Sequence, residues 1–142
     1  MATLAAHYNC GGIMKNDLFE QFDQGMLAHG GQMTNLEHLA WNKHKDFAGV
    51  SLKNVVTAEH TAGLFTCHLV RIDPGCKIGM HSHPASIEIH EVIQGNGICL
   101  TDDGEIRYVP GTVSILVHKA PHEVRAGDDG LCLFAKFFTV PA

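Results

Sequence analysis

Two histidines and a glutamate lie close together in the middle of the chain. His81 and His83 are separated by one residue and Glu88 follows five residues after His83. In a β-strand, residues i and i+2 point to the same side with Cα atoms about 6.6 Å apart, so both imidazoles can reach one ion. Neutral imidazole nitrogens bind metals, and a carboxylate from the next strand adds an oxygen ligand with a negative charge. The three residues therefore form a candidate metal site.

The spacing of these residues resembles the first motif of the cupin family. Gly75, His81, His83, Glu88 and Gly95 stand at the positions of that motif, in the segment GCKIGMHSHPASIEIHEVIQG. The resemblance implies a β-barrel that binds a small molecule or substrate at a metal. It does not imply which substrate, because one fold can serve many chemistries.

The segment GTVSILVHKAPHEVRA (111–126) resembles the second cupin motif. Gly111 and His122 match it, and the resemblance implies that His122 is the fourth metal ligand. Val117, Lys119 and Ala126 stand where the family usually has Pro, Gly and Asn. We therefore expect the turn before His122 to differ in shape from that of other members.

The resemblance extends over residues 50–138 and implies an all-β double-stranded β-helix, or jelly roll, with a short N-terminal helical segment. We expect residues 1–49 to form an N-terminal extension with this helix and a first strand, and residues 50–142 to form the barrel. Short apolar runs separated by Gly, Pro and Asp indicate the same class independently. The predicted strands cover 36–41, 50–56, 64–72, 77–83, 87–94, 98–101, 105–109, 113–117, 122–125 and 131–138.

The predicted helix precedes these strands. Asn16 or Asp17 can cap its start, and Gly30-Gly31 can end it. We expect it to pack on the barrel or on a partner subunit. Its apolar residues repeat at helical spacing: Leu18, Phe19, Phe22, Met26 and Leu27. Either Met1 or Met14 could be the native start, since residues 1–13 have no clear pattern.

His90 follows Glu88 by two residues, so alternation points both side chains into the same cavity. The imidazole could line the substrate pocket, hydrogen-bond Glu88, or act as a catalytic residue in proton transfer. A plain hydrogen-bonded wall histidine is the alternative.

Alternation leaves the inner face of the strand over 64–72 undecided. Either His68 or Arg71 would be a polar group of the pocket. The two possible inner faces are Phe65, Cys67, Leu69 and Arg71, or Thr66, His68, Val70 and Ile72.

Further positions are assigned to the inside or the outside by the same alternation. Met80, Val92, Ile115 and Val124 are predicted to be pocket or core residues. Glu91, Glu123 and Arg125 are predicted to lie on the surface or at an interface.

Composition restricts the partners and the location. The chain has 142 residues, 45% of them hydrophobic, and a net charge of −5 with ten Lys and Arg, which argues against nucleic acid as a partner. No apolar run is long enough to cross a membrane. The five cysteines form no C-x-x-C pair and no secretory signal is evident, so we expect reduced thiols in a cytoplasmic protein. A cysteine nucleophile is not indicated.

The ligand set His81, His83, Glu88 and His122 suits one divalent transition metal per chain, which is Fe, Mn, Ni, Co or Zn. A six-coordinate ion would keep two positions open for substrate or dioxygen, whereas a four-coordinate zinc would be saturated and structural. The primary hypothesis is a metal-dependent enzyme, with dioxygenase-type oxidoreductase chemistry implied by resemblance. The alternatives are a non-catalytic metabolite-binding or sensory protein and a metal-dependent isomerase or lyase.

The resemblance to small cupins also implies a homodimer. We expect it to form through sheet edges and the N-terminal segment.

Overall fold

The computed structural model describes residues 17–141. Its helices are α1 (Asp17–Asp23) and α2 (Ala58–Thr61), with a 3-10 turn at Leu36–His38. The strands are β1 (Met26–His29), β2 (Gln32–Asn35), β3 (Trp41–Lys43), β4 (Val50–Val56), β5 (Phe65–Ile72), β6 (Lys77–His81), β7 (Ser86–Thr101), β8 (Gly104–Tyr108), β9 (Val113–Leu116) and β10 (His122–Thr139). The predicted all-β class is confirmed. No helix in this part of the chain is long and apolar enough to span a membrane.

Two antiparallel sheets share the long strands β7 and β10. One sheet has the order β3-β4-β5-β10-β7-β9 and uses the second half of β10 with the first half of β7. The other has the order β6-β10-β7-β8 and uses the opposite halves. The two sheets form the predicted jelly roll, and the shared strands carry the chain from one sheet to the other.

Two glycines allow β7 to pass between the sheets. Gly95 has a φ of 82°, and a side chain there would collide with the carbonyl oxygen of Gly130. A side chain at Gly97 would collide with the carbonyl oxygen of Arg125. Only glycine permits this close approach of backbones. Residues 95–97 and 127–130, which lie between predicted strands, are therefore bends within continuous strands, marked by register shifts in the β7–β10 pairing.

The space between the sheets is an apolar core. Val92 and Val124 are buried in it, as predicted, next to Val70 and Ile72 of β5. His68 shares their face of β5, which decides the alternation in favour of His68 and places it towards the barrel interior. Burial of this apolar surface is the main contribution to stability.

The outer face of β5 is buried as well, because the N-terminal segment covers it. Phe19 of α1 and Leu36 pack against Cys67, Leu69 and Phe134 in a second apolar cluster. The helix therefore packs on the barrel, which is one of the two predicted arrangements. Because both faces of β5 are covered, apolar residues occur on both of its faces and not only at alternate positions.

A buried lysine holds this segment in place. Lys53 of β4 forms an ion pair with Asp23, and its Nζ donates hydrogen bonds to the carbonyl oxygens of Asp23 (3.0 Å) and Leu36 (2.8 Å). The Nε1 of Trp41 donates to the same Asp23 carboxylate at 3.0 Å. The buried ammonium is thus fully paired, as a buried charge must be.

The predicted extent of the helix is wrong. Helix α1 ends at Asp23, and Met26 and Leu27 belong to strand β1. Gly30 and Gly31 have φ angles of 56° and 78° and form the two-residue turn between β1 and β2. Two adjacent glycines at positive φ suit a tight hairpin, so the apparent stop signal is a hairpin turn. Asn16 and Met14 lie outside the described residues.

Several finer predictions are also wrong. The segment predicted as a strand over 36–41 begins with a 3-10 turn that Asn35 caps. Met80 and Ile115 are exposed. Met80 directly precedes the inward-facing His81, and Ile115 lies between the buried Ser114 and Leu116, so both side chains point to the outer face. Glu123 is buried, and it pairs with Lys77 and Arg125.

Candidate metal centre

The four candidate ligands come from three neighbouring parts of the barrel. His81 is the last residue of β6 and His122 is the first residue of β10, and the two are Cα partners in the sheet. His83 lies two residues after the end of β6, just before Pro84. Glu88 points inward from β7 and is buried. The strand thus ends two residues earlier than predicted, yet both histidines face the site.

The turn before His122 is attached to the segment that carries His83. Lys119 has a φ of 65°, and its N–H donates a hydrogen bond to the carbonyl oxygen of His83 at 2.9 Å. The lysine therefore adopts a left-handed conformation for which glycine is the usual residue. This hydrogen bond couples the positions of His83 and His122.

The ligand atoms converge on one point. One nitrogen from each of the three imidazoles and one oxygen of Glu88 all lie within 4.8 Å of one another. The ring centroid of His81 lies 4.3 Å from that of His122 and 4.8 Å from that of His83. The sequence prediction that His81, His83, Glu88 and His122 lie together in space is therefore consistent with the structure.

Backbone carbonyls orient two of the rings. Nδ1 of His81 lies 2.7 Å from the carbonyl oxygen of Gly79, and Nδ1 of His122 lies 3.0 Å from that of Ala120. A carbonyl oxygen only accepts hydrogen bonds, so in each ring Nδ1 carries the hydrogen, and in the neutral form Nε2 keeps a free lone pair. This is the arrangement of metal-binding histidines whose other nitrogen is held by a hydrogen bond.

Three buried polar atoms at the centre of this group have no hydrogen-bond partner. They are Nε2 of His83, Nε2 of His122 and Oε2 of Glu88. Nε2 of His83 lies 2.9 Å from Oε2 of Glu88, but without hydrogen-bonding geometry. Unpaired buried polar atoms are costly, so three of them at one point indicate a ligand that satisfies all three.

The electrostatics favour a cation at this point. Burial alone would raise the pKa of Glu88, but the imidazoles of His83 and His90 beside it lower the pKa below its usual range. Burial lowers the pKa of His122, although the carbonyl of Ala120 and the charge of Glu88 act in the opposite direction. The carboxylate is thus charged and this imidazole is neutral near pH 7, which are the forms that bind a metal.

The residues fit a transition metal. Three nitrogens and one oxygen suit Fe, Mn, Ni, Co or Zn, whereas Ca and Mg favour oxygen ligands alone. Ligands about 2.1 Å from one ion are at most about 4.2 Å apart, so the group needs to contract only slightly to close around it. His83 is about one-third exposed, so the site opens to solvent on its side.

His90 lies behind Glu88, away from this opening. Its Nε2 contacts Oε1 of Glu88, and its Nδ1 lies 2.8 Å from the hydroxyl oxygen of Tyr108. His90 and Tyr108 are both buried. Of the alternatives considered for His90, the hydrogen bond to Glu88 is the one that the structure shows.

Phe137 and His68 form part of the wall of the site. The Phe137 ring packs edge-on against His83 with centroids 4.9 Å apart, and against His68 at 5.7 Å. Nδ1 of His68 lies 2.9 Å from Oδ1 of Asn54, and its Nε2 lies 3.0 Å from Oγ1 of Thr66. A polar group therefore lies across an aromatic ring from the candidate ligands.

Sequence reasoning missed Tyr108 and Phe137. Both occur in correctly predicted strands, but their neighbours across the sheet could not be known from the sequence. Tyr108 is the Cα partner of Gly97, and Phe137 is the partner of Glu88. The alternation of each strand was the available signal, and it requires knowing the register.

Comparison with known proteins decides the family. A family model described as a cupin domain matches residues 68–138, which is half of the 142-residue chain. The chain belongs to the cupin family. A search of curated proteins finds no match to this cupin.

Solved structures agree with this fold. A predicted oxalate decarboxylase from Thermotoga maritima is 16% identical and has a TM-score of 0.68, over 73% of this chain and 96% of that one. KdgF from Halomonas sp. is 22% identical with a TM-score of 0.64, over 76% and 92%. The polyketide cyclase RemF from Streptomyces resistomycificus is 13% identical with a TM-score of 0.66, over 76% and 78%. At these identities the similarity shows the fold.

Proposed function

We propose that this cupin is a metal-dependent enzyme that acts on a small molecule, with dioxygenase-type oxidoreductase chemistry. The observation that carries the proposal is the group of three unpaired buried atoms on His83, Glu88 and His122, which a cation would satisfy together. His81 completes the ligand set. When bound, a divalent ion at this point would act as a Lewis acid towards a coordinating enol, diketone or α-hydroxy acid.

The protein residues have separate roles in this proposal. His81, His83 and His122 donate neutral nitrogens, and Glu88 supplies the negative charge. Phe137 limits access of water on one side, because its ring packs against His83. The catalytic role in proton transfer that the sequence suggests for His90 stays a prediction.

The test combines metal content with oxygen uptake. The protein is purified without added metal and analysed for elements, and oxygen consumption is followed with diketones, catechols and thiols. We expect one ion per chain and oxygen uptake with at least one substrate class. His81→Ala and His122→Ala should each lose both the ion and the activity, whereas His38→Ala, an exposed histidine outside the site, should keep both. Stoichiometric metal in both site variants would refute the ligand set.

A metal-dependent lyase or isomerase is the second candidate. Two of the similar structures, a predicted oxalate decarboxylase and a polyketide cyclase, are named for decarboxylation and cyclisation, which supports this candidate. Substrate turnover under strictly anaerobic conditions would support this candidate over the first. A bound metabolite with an intact metal and no turnover would instead support the sensory alternative.

We propose that the protein is a homodimer. Strand β9 pairs only with β7 among the described strands, so its other edge is open. Its sequence VSIL has no charged residue or proline, and Val113, Ile115 and the adjacent Val117 are exposed. Such an edge can pair antiparallel with its own copy, which would also cover the apolar side chains.

Light scattering tests the dimer. Ile115→Lys should shift the mass from dimer to monomer, because each copy would bring a positive charge into the paired edge. Leu64→Lys, at another exposed apolar position, should leave the mass unchanged. A monomeric wild-type protein would refute the proposal.

We also propose a cytoplasmic location. Cys67, Cys76, Cys99 and Cys132 form no disulfide in residues 17–141. Reduced thiols are typical of the cytosol. Fractionation of cells that express the native gene would test this location.

A further inference from the structure

His90 and Tyr108 form a buried chain that ends on Glu88. His90 contacts Oε1 of Glu88 through Nε2, and Nδ1 lies 2.8 Å from the Tyr108 hydroxyl. An ionised carboxylate only accepts hydrogen bonds, so Nε2 of His90 carries the hydrogen. In the neutral imidazole Nδ1 is then the acceptor, and the Tyr108 hydroxyl donates to it. The carboxylate thus fixes which nitrogen of His90 donates to it.

The neighbouring residues leave room for this imidazole. The Cα partners of His90 are Ser114 on β9 and Ala135 on β10, and both are small and buried. His90 itself is 3% exposed and Tyr108 is fully buried. A side chain enclosed in this way cannot contact a substrate that enters on the His83 side. Its influence on the site must pass through Glu88.

The two oxygens of Glu88 therefore have different surroundings. Oε1 is held by His90, whereas Oε2 lies 2.9 Å from Nε2 of His83 and is unpaired. Nε2 of His122 lies 3.8 Å from Oε1. Because Oε1 already accepts from His90 and Oε2 has no donor, Oε2 is the oxygen that keeps both lone pairs for an ion.

We propose that His90 and Tyr108 are positioning residues that restrict Glu88 to binding the metal through one oxygen. This inference rests on the proposed metal site. A carboxylate that uses one oxygen occupies one coordination position, so a position that a two-oxygen mode would fill stays open for substrate. The hydrogen bond from His90 also fixes the carboxylate before the ion arrives, which strengthens metal binding.

The test uses Co(II) binding and carboxylate vibrations, without turnover. Infrared difference spectra of metal-free and Co(II)-loaded protein give the separation between the antisymmetric and symmetric carboxylate stretches, which is larger for one-oxygen than for two-oxygen coordination. Glu88→Gln identifies the Glu88 bands by their loss. The Kd for Co(II) is measured by titration on the same samples.

His90→Leu should narrow the band separation towards the two-oxygen value and raise the Kd by about 10- to 100-fold. His90→Gln, whose amide can still donate to Oε1, should keep the wide separation. Tyr108→Phe is the milder variant if His90→Leu fails to fold, and it should raise the Kd by a smaller factor. His38→Leu, at an exposed histidine outside the site, is the control and should leave the band separation and the Kd unchanged.

The outcomes separate this inference from the proposed function. If the wild-type protein binds no Co(II) at these residues, the metal site itself is wrong and the inference falls with it. If the wild-type protein binds Co(II) and His90→Leu shows the same band separation and Kd, only the positioning role is refuted. Loss of the wide separation in His90→Gln would also contradict it.

Discussion

At the scale of single residues, Lys119 has a backbone conformation that is unfavourable for any residue with a side chain. Its φ of 65° lies in the left-handed region, where non-glycine residues pay about 1–2 kcal/mol. The side chain is exposed, and the hydrogen bond to His83 comes from the backbone N–H. Lys119 therefore contributes to the site through its backbone, which holds the segment that carries His83, and not through its side chain.

Replacing this lysine with glycine should stabilise the protein. Lys119→Gly relieves the left-handed strain but adds about 0.5–1 kcal/mol of unfolded-state entropy, so the free energy of unfolding should rise by roughly 0.5–1 kcal/mol. Urea unfolding measures this change. Lys45→Gly is the matched control at an exposed loop lysine without positive φ, and it should lower stability slightly. A loss of stability in Lys119→Gly would contradict the account.

At the scale of elements, the N-terminal segment and the sheet are joined by one buried cation. Lys53 bridges the carboxylate and carbonyl of Asp23 and the carbonyl of Leu36. Removing the ammonium leaves these acceptors without their donor in a poorly solvated place. The segment should therefore lose its attachment before the barrel loses its own core.

Lys53→Met should lower the free energy of unfolding by about 3 kcal/mol, the usual effect of breaking a buried pair. Cys67 and Cys132 lie under the segment, so their thiols should react faster with a thiol reagent in this variant. Adding Asp23→Asn should cost much less than it does alone, because the pair is already broken. Unchanged thiol reactivity would show that the segment is held by other contacts.

At the scale of the whole molecule, burial of thiols makes stability depend on alkaline pH. Burial raises the pKa of Cys67 and of Cys132 from 9.0 to about 11. Between these values the unfolded chain loses protons that the folded chain keeps, so the folded state becomes less favoured as the pH rises above about 9. Below that pH the two thiols are neutral in both states and have no such effect.

The urea concentration at the midpoint of unfolding should therefore decrease when the pH is raised from 7.5 to 10. The fall should be smaller in Cys67→Ala/Cys132→Ala than in the wild-type protein, since the variant lacks both thiols. Comparing the two proteins removes the contribution of other titrating groups. An equal fall in both would mean that these thiols do not set the pH dependence.

The barrel and three of the candidate ligands could be predicted from the sequence because their information is local, whereas His122 followed from the resemblance to the second cupin motif. The spacing of His81, His83 and Glu88 and the short apolar runs require no knowledge of register. What could not be predicted depends on pairing across the sheets: the contact of Tyr108 with His90 and the bends at Gly95. The Gly30-Gly31 pair failed as a helix stop because tertiary pairing of β1 with β2 overrode helical spacing. The division into residues 1–49 and 50–142 stays a prediction.

X-ray diffraction recorded at the absorption edge of the metal that co-purifies with the protein tests the central claim most directly. One anomalous peak per chain is expected, about 2.0–2.3 Å from a nitrogen of His81, His83 and His122 and from one oxygen of Glu88. A crystal of metal-replete protein with no peak among these side chains, or with the peak at other residues, would contradict it.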